Sequence, residues 1–164
     1  MNNIIKTQGK FKMNNTIDMQ GKFKIKTFKG GVLIRETDWI KNLVVAGANN
    51  GLGIIAKRMI GNFAHDIEIT TAEIGDGDTT PTLTDTALEN PITTGILRAN
   101  QSNTSASVIL EFFIGSDDLP NGDYKEFGLR AGTQLFTRAL IDPIYTKSSN
   151  EDTSIEYQIN LSNQ

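Results

Sequence analysis

The stretch KFKIKTFK, residues 22–29, alternates lysine with apolar or β-branched residues through Thr27, and it is followed by Gly30-Gly31 and by VLIRET, residues 32–37. Period-2 alternation predicts a strand that buries Phe23, Ile25 and Thr27 on one face and exposes lysines on the other. The glycine pair favours a hairpin turn, so residues 32–37 are predicted to form the return strand. This hairpin indicates a mainly β fold.

Further segments rich in β-branched and aromatic residues suit strands because turn residues separate them at short intervals. They are residues 67–75, 93–99, 105–114, 126–130, 134–140 and 153–161. Closely spaced strands with a single helix among them are typical of an antiparallel architecture. We therefore predict an antiparallel β-sandwich with one α-helix and an extended N-terminal arm.

The helix is predicted between residues 49 and 60. Asn49 or Asn50 can cap its start, and Gly61-Asn62 can end it. Four apolar residues spaced three or four apart predict one buried stripe. They are Leu52, Ile55, Ala56 and Met59. Gly51-Leu52-Gly53 is a fragment of a dinucleotide-binding loop, but no parallel βαβ pattern surrounds it, so close packing at a helix start is the preferred interpretation.

The N-terminus contains a tandem repeat. MNNIIKTQGKFK, residues 1–12, recurs as MNNTIDMQGKFK, residues 13–24, with QGKFK identical in both copies. A period of twelve residues is too short for a solenoid, so local duplication explains it better. We assign residues 1–21 to a basic arm with a duplicated segment and residues 22–164 to a single β-sandwich domain. The second copy also opens with Met-Asn-Asn, which leaves Met13 open as an alternative start.

Charge is distributed unevenly along the chain. Residues 1–30 carry a net charge of +6, and the remainder carries −9. A basic arm on an acidic body can bind nucleic acid, an acidic partner or a neighbouring copy, or it can simply be a solvated face that protects an edge strand. Nucleic acid is disfavoured because the arm lacks arginine and Phe23 faces away from the lysines. The predicted interface residues are Lys10, Phe11, Lys12, Lys22, Lys24, Lys26 and Lys29.

The residue inventory disfavours catalysis. The chain has no cysteine and one histidine, His65, so disulfides, thiolate chemistry and cysteine-based metal sites are excluded. His65 beside Asp66 can act as a general base, but a surface-loop histidine is preferred. No apolar run approaches the roughly 20 residues of a membrane span, and the segment MNNIIK, residues 1–6, lacks the apolar stretch expected of a signal peptide. We predict a non-enzymatic protein without a cofactor or membrane contact, made in a cytoplasm.

Two other features allow more than one interpretation. The carboxylates of Asp76 and Asp78, in a glycine-containing loop, can coordinate calcium, but they do not match an EF-hand and suit a tight turn in which glycine accepts a positive φ. Trp39, the only tryptophan, suits a core or interface anchor better than a ligand platform. The sequence leaves calcium binding open.

An ordered set of motifs carries a family resemblance. The motifs are NLVVAG at 42–47, IIA at 54–56, IGDGDTTP at 74–81, DTALEN at 85–90, YKEFGL at 124–129, LFTRA at 135–139 and PIYTK at 143–147. Together they resemble tailed-bacteriophage structural proteins that share an NLV…G…IA start and a GxGxTxPxxxDTxLxN loop. The resemblance spans about residues 22–162, and it departs at Phe127, where similar proteins often have Ile, and in the duplicated arm. In physical terms, residues 75–90 are predicted to pack Leu83 and Leu88 beneath polar turns.

The resemblance implies a symmetric, non-catalytic component of a virion. We expect a homo-oligomer that binds other virion proteins at the tail, baseplate, collar or fibre-docking region and is assembled in the host cytoplasm. Capsid decoration or head-fibre anchoring is one alternative. A carbohydrate-binding module at the tail tip, with calcium in the Asp76–Asp78 loop, is an alternative of another class.

Overall fold

A computed structural model of the chain describes residues 17–163. The first copy of the repeat, the alternative start at Met13 and the predicted interface residues Lys10, Phe11 and Lys12 lie outside the described residues. The described part contains nine strands and one helix. They are β1 Ile17–Lys29, β2 Val32–Glu36, β3 Ile40–Val44, α1 Leu52–Met59, β4 Ile69–Gly75, β5 Pro91–Asn103, β6 Ser107–Ile114, β7 Gly122–Ala131, β8 Gln134–Lys147 and β9 Asp152–Asn163.

Eight of these strands close into an antiparallel barrel, in the order β1-β3-β8-β7-β4-β5-β6-β9 and back to β1. The predicted β-sandwich is therefore wrong, whereas the mainly β, antiparallel class is confirmed. Closure follows from long strands that serve two neighbours. β1 pairs with β9 from Ile17 to Phe28, and its other edge pairs first with β3 and then with β2. Because β1 also pairs with β9, these eight strands form one closed sheet rather than two sheets packed face to face.

The predicted alternation of β1 is confirmed. Phe23, Ile25 and Thr27 are buried inside the barrel, and the lysines between them lie on the outer face. The strand begins at Ile17, so residues 17–21, which we assigned to the arm, belong to the barrel wall. The sequence period therefore gives the orientation of the strand correctly but places its start five residues too late.

The interior is packed with aromatic and aliphatic side chains from opposite walls. Phe23 lies 4.7 Å, between ring centroids, from Phe127 of β7, and Phe127 lies 6.5 Å from Tyr157 of β9. A small polar group is buried in this interior: the Tyr145 hydroxyl lies 3.3 Å from the Thr27 hydroxyl and 2.7 Å from that of Thr153. These hydroxyls satisfy one another, which removes most of the cost of burying them.

The predicted hairpin between β1 and β2 is confirmed. Lys29 pairs with Val32 across Gly30 and Gly31, which both have the positive φ that such a tight turn requires. β2 is the ninth strand: it pairs with β1 along one edge and lies at the end of the strand order. The hairpin thus extends beyond the closed barrel.

The helix forms where the sequence predicts it, but its burial differs from the prediction. Its N-cap is Gly51, with no side-chain cap, so the predicted capping by Asn49 or Asn50 is wrong. Ile54 is the buried residue, whereas Leu52 and Met59 of the predicted stripe are exposed. The backbone explains this orientation: Gly51 N–H donates to the Leu135 carbonyl at the start of β8, and this contact fixes the rotation of the first turn. A Cβ on Gly51 or Gly53 would collide with neighbouring carbonyls, which confirms close packing as the reason for both glycines.

Candidate assembly surface

Strand β2 is exposed along its whole length. Val32, Leu33 and Ile34 are 64%, 48% and 49% exposed, so apolar side chains on both faces of the strand meet solvent. One edge of β2 pairs with β1, and no ladder within residues 17–163 covers the other edge. We call this strand, with its free edge, the β2 surface. Exposed apolar edge strands are templates for pairing with another chain.

A groove borders the β2 surface. It has a volume of about 350 Å³ and lies between residues 35–38, which begin at the end of β2, and residues 143–146 of β8. Arg35 crosses it: the guanidinium donates to the Thr146 carbonyl at 2.7 Å and lies 3.3 Å from a Glu151 carboxylate oxygen. Ile144 in this groove is 52% exposed. Arg35 therefore ties β2 to the barrel and holds the exposed strand in a defined position.

The predicted lysine face lies on the outside of β1, but much of it is already paired within the subunit. Lys24 lies 2.6 Å from a Glu36 carboxylate oxygen, and Lys26 lies 2.7 Å from Glu156. The ammonium of Lys22 sits 4.5 Å from the centre of the Trp39 ring, and that of Lys24 sits 5.0 Å from it. Trp39 is 38% exposed and serves as a platform for these two lysines. Of the four lysines predicted here, Lys29 at the hairpin turn is the exposed one.

A second exposed apolar cluster lies at the end of α1. Met59, Ile60 and Phe63 are all strongly exposed, and the Arg58 guanidinium carbon lies 4.6 Å from the centre of the Phe63 ring. The adjacent His65 is half-buried, and its backbone carbonyl accepts a hydrogen bond from Arg58 at 2.7 Å. His65 therefore lies in the loop predicted for it, and its backbone helps to fix the end of the helix.

The motif-rich loop, residues 76–90, is fastened to β7 and β8 by a charge cluster centred on the buried side chains of Arg138 and Glu126. Arg138 of β8 donates from Nε to Glu126 of β7 at 3.0 Å and from Nη1 to Asp85 of the loop at 2.8 Å. Its Nη2 donates to the Thr79 carbonyl and hydroxyl, both at 3.1 Å. Glu126, fully buried, accepts from the backbone amides of Glu89 and Asn90 at 3.0 and 2.7 Å. We call Arg138, Glu126, Asp85, Thr79 and Glu89 the Arg138 cluster.

Two acidic members of this cluster, Asp85 and Glu89, are stabilised in their charged forms. Burial raises the pKa of Asp85, but hydrogen bonds from Thr82 and the charge of Arg138 outweigh it, so the pKa lies below its ordinary value. Backbone and side-chain hydrogen bonds from Thr79 lower the pKa of Glu89 in the same way. Burial lowers the pKa of Arg138, while Asp85 and Glu126 raise it to a net value above the ordinary one. Asp85, Glu89 and Arg138 are thus charged near neutral pH.

Lowering the pH should weaken the attachment of residues 76–90 to the barrel. A carboxylate whose pKa is lowered by folding contributes stability above its unfolded-state pKa, and this stability is lost as the pH falls through the folded value. The free energy of unfolding should therefore fall below about pH 5 and decline less steeply in Asp85→Asn, which is also less stable at pH 7. Urea denaturation between pH 7 and pH 3 measures the pH dependence of the free energy of unfolding and the difference between the two proteins at pH 7. Asp117→Asn, at an exposed turn, is the control and should follow the unmodified chain; an identical slope in Asp85→Asn would contradict the prediction.

The glycines and acids of the Asp76–Asp78 loop serve this packing. Neither Gly75 nor Gly77 has a positive φ, so the predicted reason for glycine is wrong; both are needed because a Cβ would collide with Asn90 or Glu126. Asp76 accepts a hydrogen bond from the Asn90 side chain, and Asp78 lies 3.7 Å from Lys125. Within residues 17–163 no group of three or more histidine, cysteine, aspartate or glutamate side chains is arranged to hold a metal ion.

Leu88 and Leu83, predicted to pack together under this loop, differ in position. Leu88 is buried against Gly128 of β7, where any side chain at residue 128 would displace it. Leu83 is 53% exposed, so its predicted burial is wrong. A bulge at Phe136, between the pairs Leu129–Thr137 and Arg130–Leu135, turns Leu135 toward Leu88 and Phe136 toward the core. Because of this bulge, two consecutive residues of β8 can pack on opposite sides of the strand, one against the loop and one in the barrel core.

Sequence reasoning gave β2 no functional role and assigned none to Arg138 or Glu126. A usable signal existed for Arg138, since it is a charged residue inside the otherwise largely apolar segment LFTRALI, residues 135–141, and buried charges are paired. For β2 there was none, because VLIRE has the composition of a half-buried strand.

Comparison with protein-family models, with curated proteins and with solved structures finds no match to this chain. In the described part of the chain, no helix has the length and apolar character needed to cross a membrane.

Proposed function

We propose that this chain is a non-enzymatic structural subunit of a bacteriophage virion, acting by protein–protein contacts at the tail, baseplate, collar or fibre-docking region. The observation that carries the proposal is the β2 surface: three consecutive apolar residues, exposed on both faces of a strand with a free edge. Such a strand suits edge pairing with another copy of the chain, in a closed homo-oligomer.

The roles of the resemblance motif residues also support an assembly protein. Thr79, Asp85 and Glu89 contact Arg138, and the Asn90 amide binds Glu126. These side chains hold a loop to the barrel wall, which is a structural use of acidic residues that would otherwise be candidates for catalysis or metal binding. The motif therefore suits a rigid scaffold that presents surfaces to neighbours.

Self-association through β2 should be lost in the double variant Leu33→Glu/Ile34→Lys, which leaves the net charge unchanged. Both side chains lie centrally in the proposed interface, where a single hot-spot residue contributes about 2 kcal/mol or more, so we expect affinity to fall at least about 30-fold. Sedimentation velocity should show an oligomer for the unmodified chain and a monomer for the variant, with the same circular dichroism.

Leu97→Glu/Phe113→Lys is the matched control, since both residues are exposed on strands away from β2 and the net charge is again unchanged. This control should keep the oligomer. An unmodified chain that stays monomeric, or a β2 variant that keeps its mass, would contradict assembly through β2.

The virion role has its own test. The chain should be detected by mass spectrometry in purified phage particles, at a constant ratio to the major structural proteins, and immunogold should label the tail end. Labelling of the head would instead support capsid decoration or head-fibre anchoring and overturn the tail placement. Absence from particles would overturn the virion role as a whole.

A further inference from the structure

An apolar cavity opens at the end of the barrel where β1 begins. Its volume is about 480 Å³, within the roughly 300–1,000 Å³ of ligand pockets. Its apolar walls come from β1, β4, β6, β8 and β9 and from the residues that precede β4, and they include Met19, Ile69, Val108, Leu110, Phe136 and Ile159. A cavity of this size and lining favours an apolar occupant, because filling it removes apolar surface from water.

A strand edge without a ladder partner borders the same cavity. β4 and β5 pair only as far as Thr71–Leu97, and residues 98–103 of β5 then pair with β6 alone among the described strands. Gln101, Ser102 and Asn103 of this stretch line the cavity. Backbone groups on the β4 side of β5 can therefore accept an added strand there. Arg98 spans the gap and donates to the Ile69 carbonyl at 2.6 Å.

The chain enters the barrel at the rim of this cavity. Ile17 is the first described residue, and Met19, two positions later, pairs with Leu161; both Met19 and Leu161 line the cavity. Sixteen residues precede Ile17, and an extended chain spans roughly 3.3–3.6 Å per residue. This length of chain is sufficient for an eight-residue segment and a connection to β1. Asn14-Asn15 supplies turn-forming residues between this segment and β1.

The preceding segment has the side-chain pattern of a barrel strand. Residues 5–12, IKTQGKFK, correspond through the repeat to residues 17–24, IDMQGKFK, which form the first part of β1. At period 2, Ile5 and Phe11 share one face with Gly9, as Met19, Gly21 and Phe23 do in the second copy. The opposite face is polar in both copies: Lys6, Gln8, Lys10 and Lys12 in the first, and Asp18, Gln20, Lys22 and Lys24 in the second.

We propose that residues 5–12 fold back onto their own subunit as an added strand at the edge of β5 and fill the cavity. Ile5 and Phe11 occupy the apolar space, and Lys6, Lys10 and Lys12 face solvent. The duplicated sequence thus supplies a second strand, and the apolar face of this strand covers the cavity at the end of the barrel. This inference concerns a contact within one chain and does not depend on the virion role.

The test compares the full chain with a variant that lacks residues 1–12 and begins at Met13, which keeps all of β1. The probe is 1-anilinonaphthalene-8-sulfonate, whose fluorescence rises when it binds exposed apolar surface. We expect several-fold higher dye fluorescence for the truncated chain, whose circular dichroism still shows the β fold of the barrel. A synthetic peptide of residues 1–12 should displace the dye, whereas the same peptide with Ile5→Ser and Phe11→Ser should not. Val108→Trp in the truncated chain should lower dye binding and thereby locate it in this cavity.

Equal dye fluorescence in the full and truncated chains would overturn the proposal, as would dye binding in the truncated chain that Val108→Trp leaves unchanged. If the full chain excludes the dye only at concentrations where it self-associates, the segment comes from a neighbouring copy, and docking within one chain is wrong. Sedimentation of both proteins, run in parallel, separates these outcomes from loss of assembly through β2.

Discussion

Arg138→Met should lower the free energy of unfolding by about 3–5 kcal/mol, because it leaves the Glu126 carboxylate buried without its counter-charge. Glu126 is fully buried and lies 3.0 Å from the guanidinium, which also holds Asp85 and Thr79. A loss of this size is a large part of the 5–15 kcal/mol typical of a domain. Urea denaturation at pH 7 measures it, and hydrogen exchange should show faster opening of residues 76–90.

Two further variants identify the cause of this loss. Arg138→Met/Glu126→Gln should be more stable than Arg138→Met alone, since the second change removes the unpaired charge. Lys125→Met breaks the exposed ion pair with Asp78 and should cost no more than about 1 kcal/mol. An Arg138→Met variant that loses less than 1 kcal/mol, or a double variant less stable than the single one, would contradict a buried ionic anchor.

The hairpin that opens the fold was predictable because its signals are local. Alternation over residues 22–27 set the face of each side chain, and Gly30-Gly31 set the turn. The barrel was not predictable in the same way, since its closure depends on the pairing of Ile17–Phe28 with residues at the other end of the chain. Period-2 patterns specify which side of a strand is buried but not which strand lies beside it.

The helix also shows that a local pattern does not determine tertiary contacts. Its existence and its end before Gly61 follow from apolar spacing and stop residues, but its rotation depends on backbone hydrogen bonds from Gly51 to the Leu135 carbonyl and from Leu52 to the Val45 carbonyl. Those contacts bury Ile54 and expose Met59, against the spacing of the predicted stripe. Short amphipathic helices are stabilised by tertiary packing, so tertiary contacts decide which face is buried.

The Arg138 cluster was only partly predictable for a related reason. The motif suggested a folded connector that satisfies its own backbone, and Asp85 and Glu89 do bind nearby amides. The partner that anchors the connector, Arg138, lies 53 residues beyond Asp85. The exposure of β2 was not predictable, because the apolar run Val32-Leu33-Ile34 lacks the lysine, proline or bulge that marks many edge strands.

Phe23→Ala should cost about 3–5 kcal/mol, the range for truncating a fully buried phenylalanine. The ring contacts Phe127 across the barrel interior, between β1 and β7, which share no backbone hydrogen bonds. Its removal therefore leaves a cavity that neither strand can close by shifting in register. Phe113→Ala, at a phenylalanine 55% exposed on β6, is the matched control and should change stability by less than about 1 kcal/mol. Urea denaturation measures the loss in free energy of unfolding for both variants. Similar losses would mean that the alternation of β1 does not determine which side chains the barrel buries.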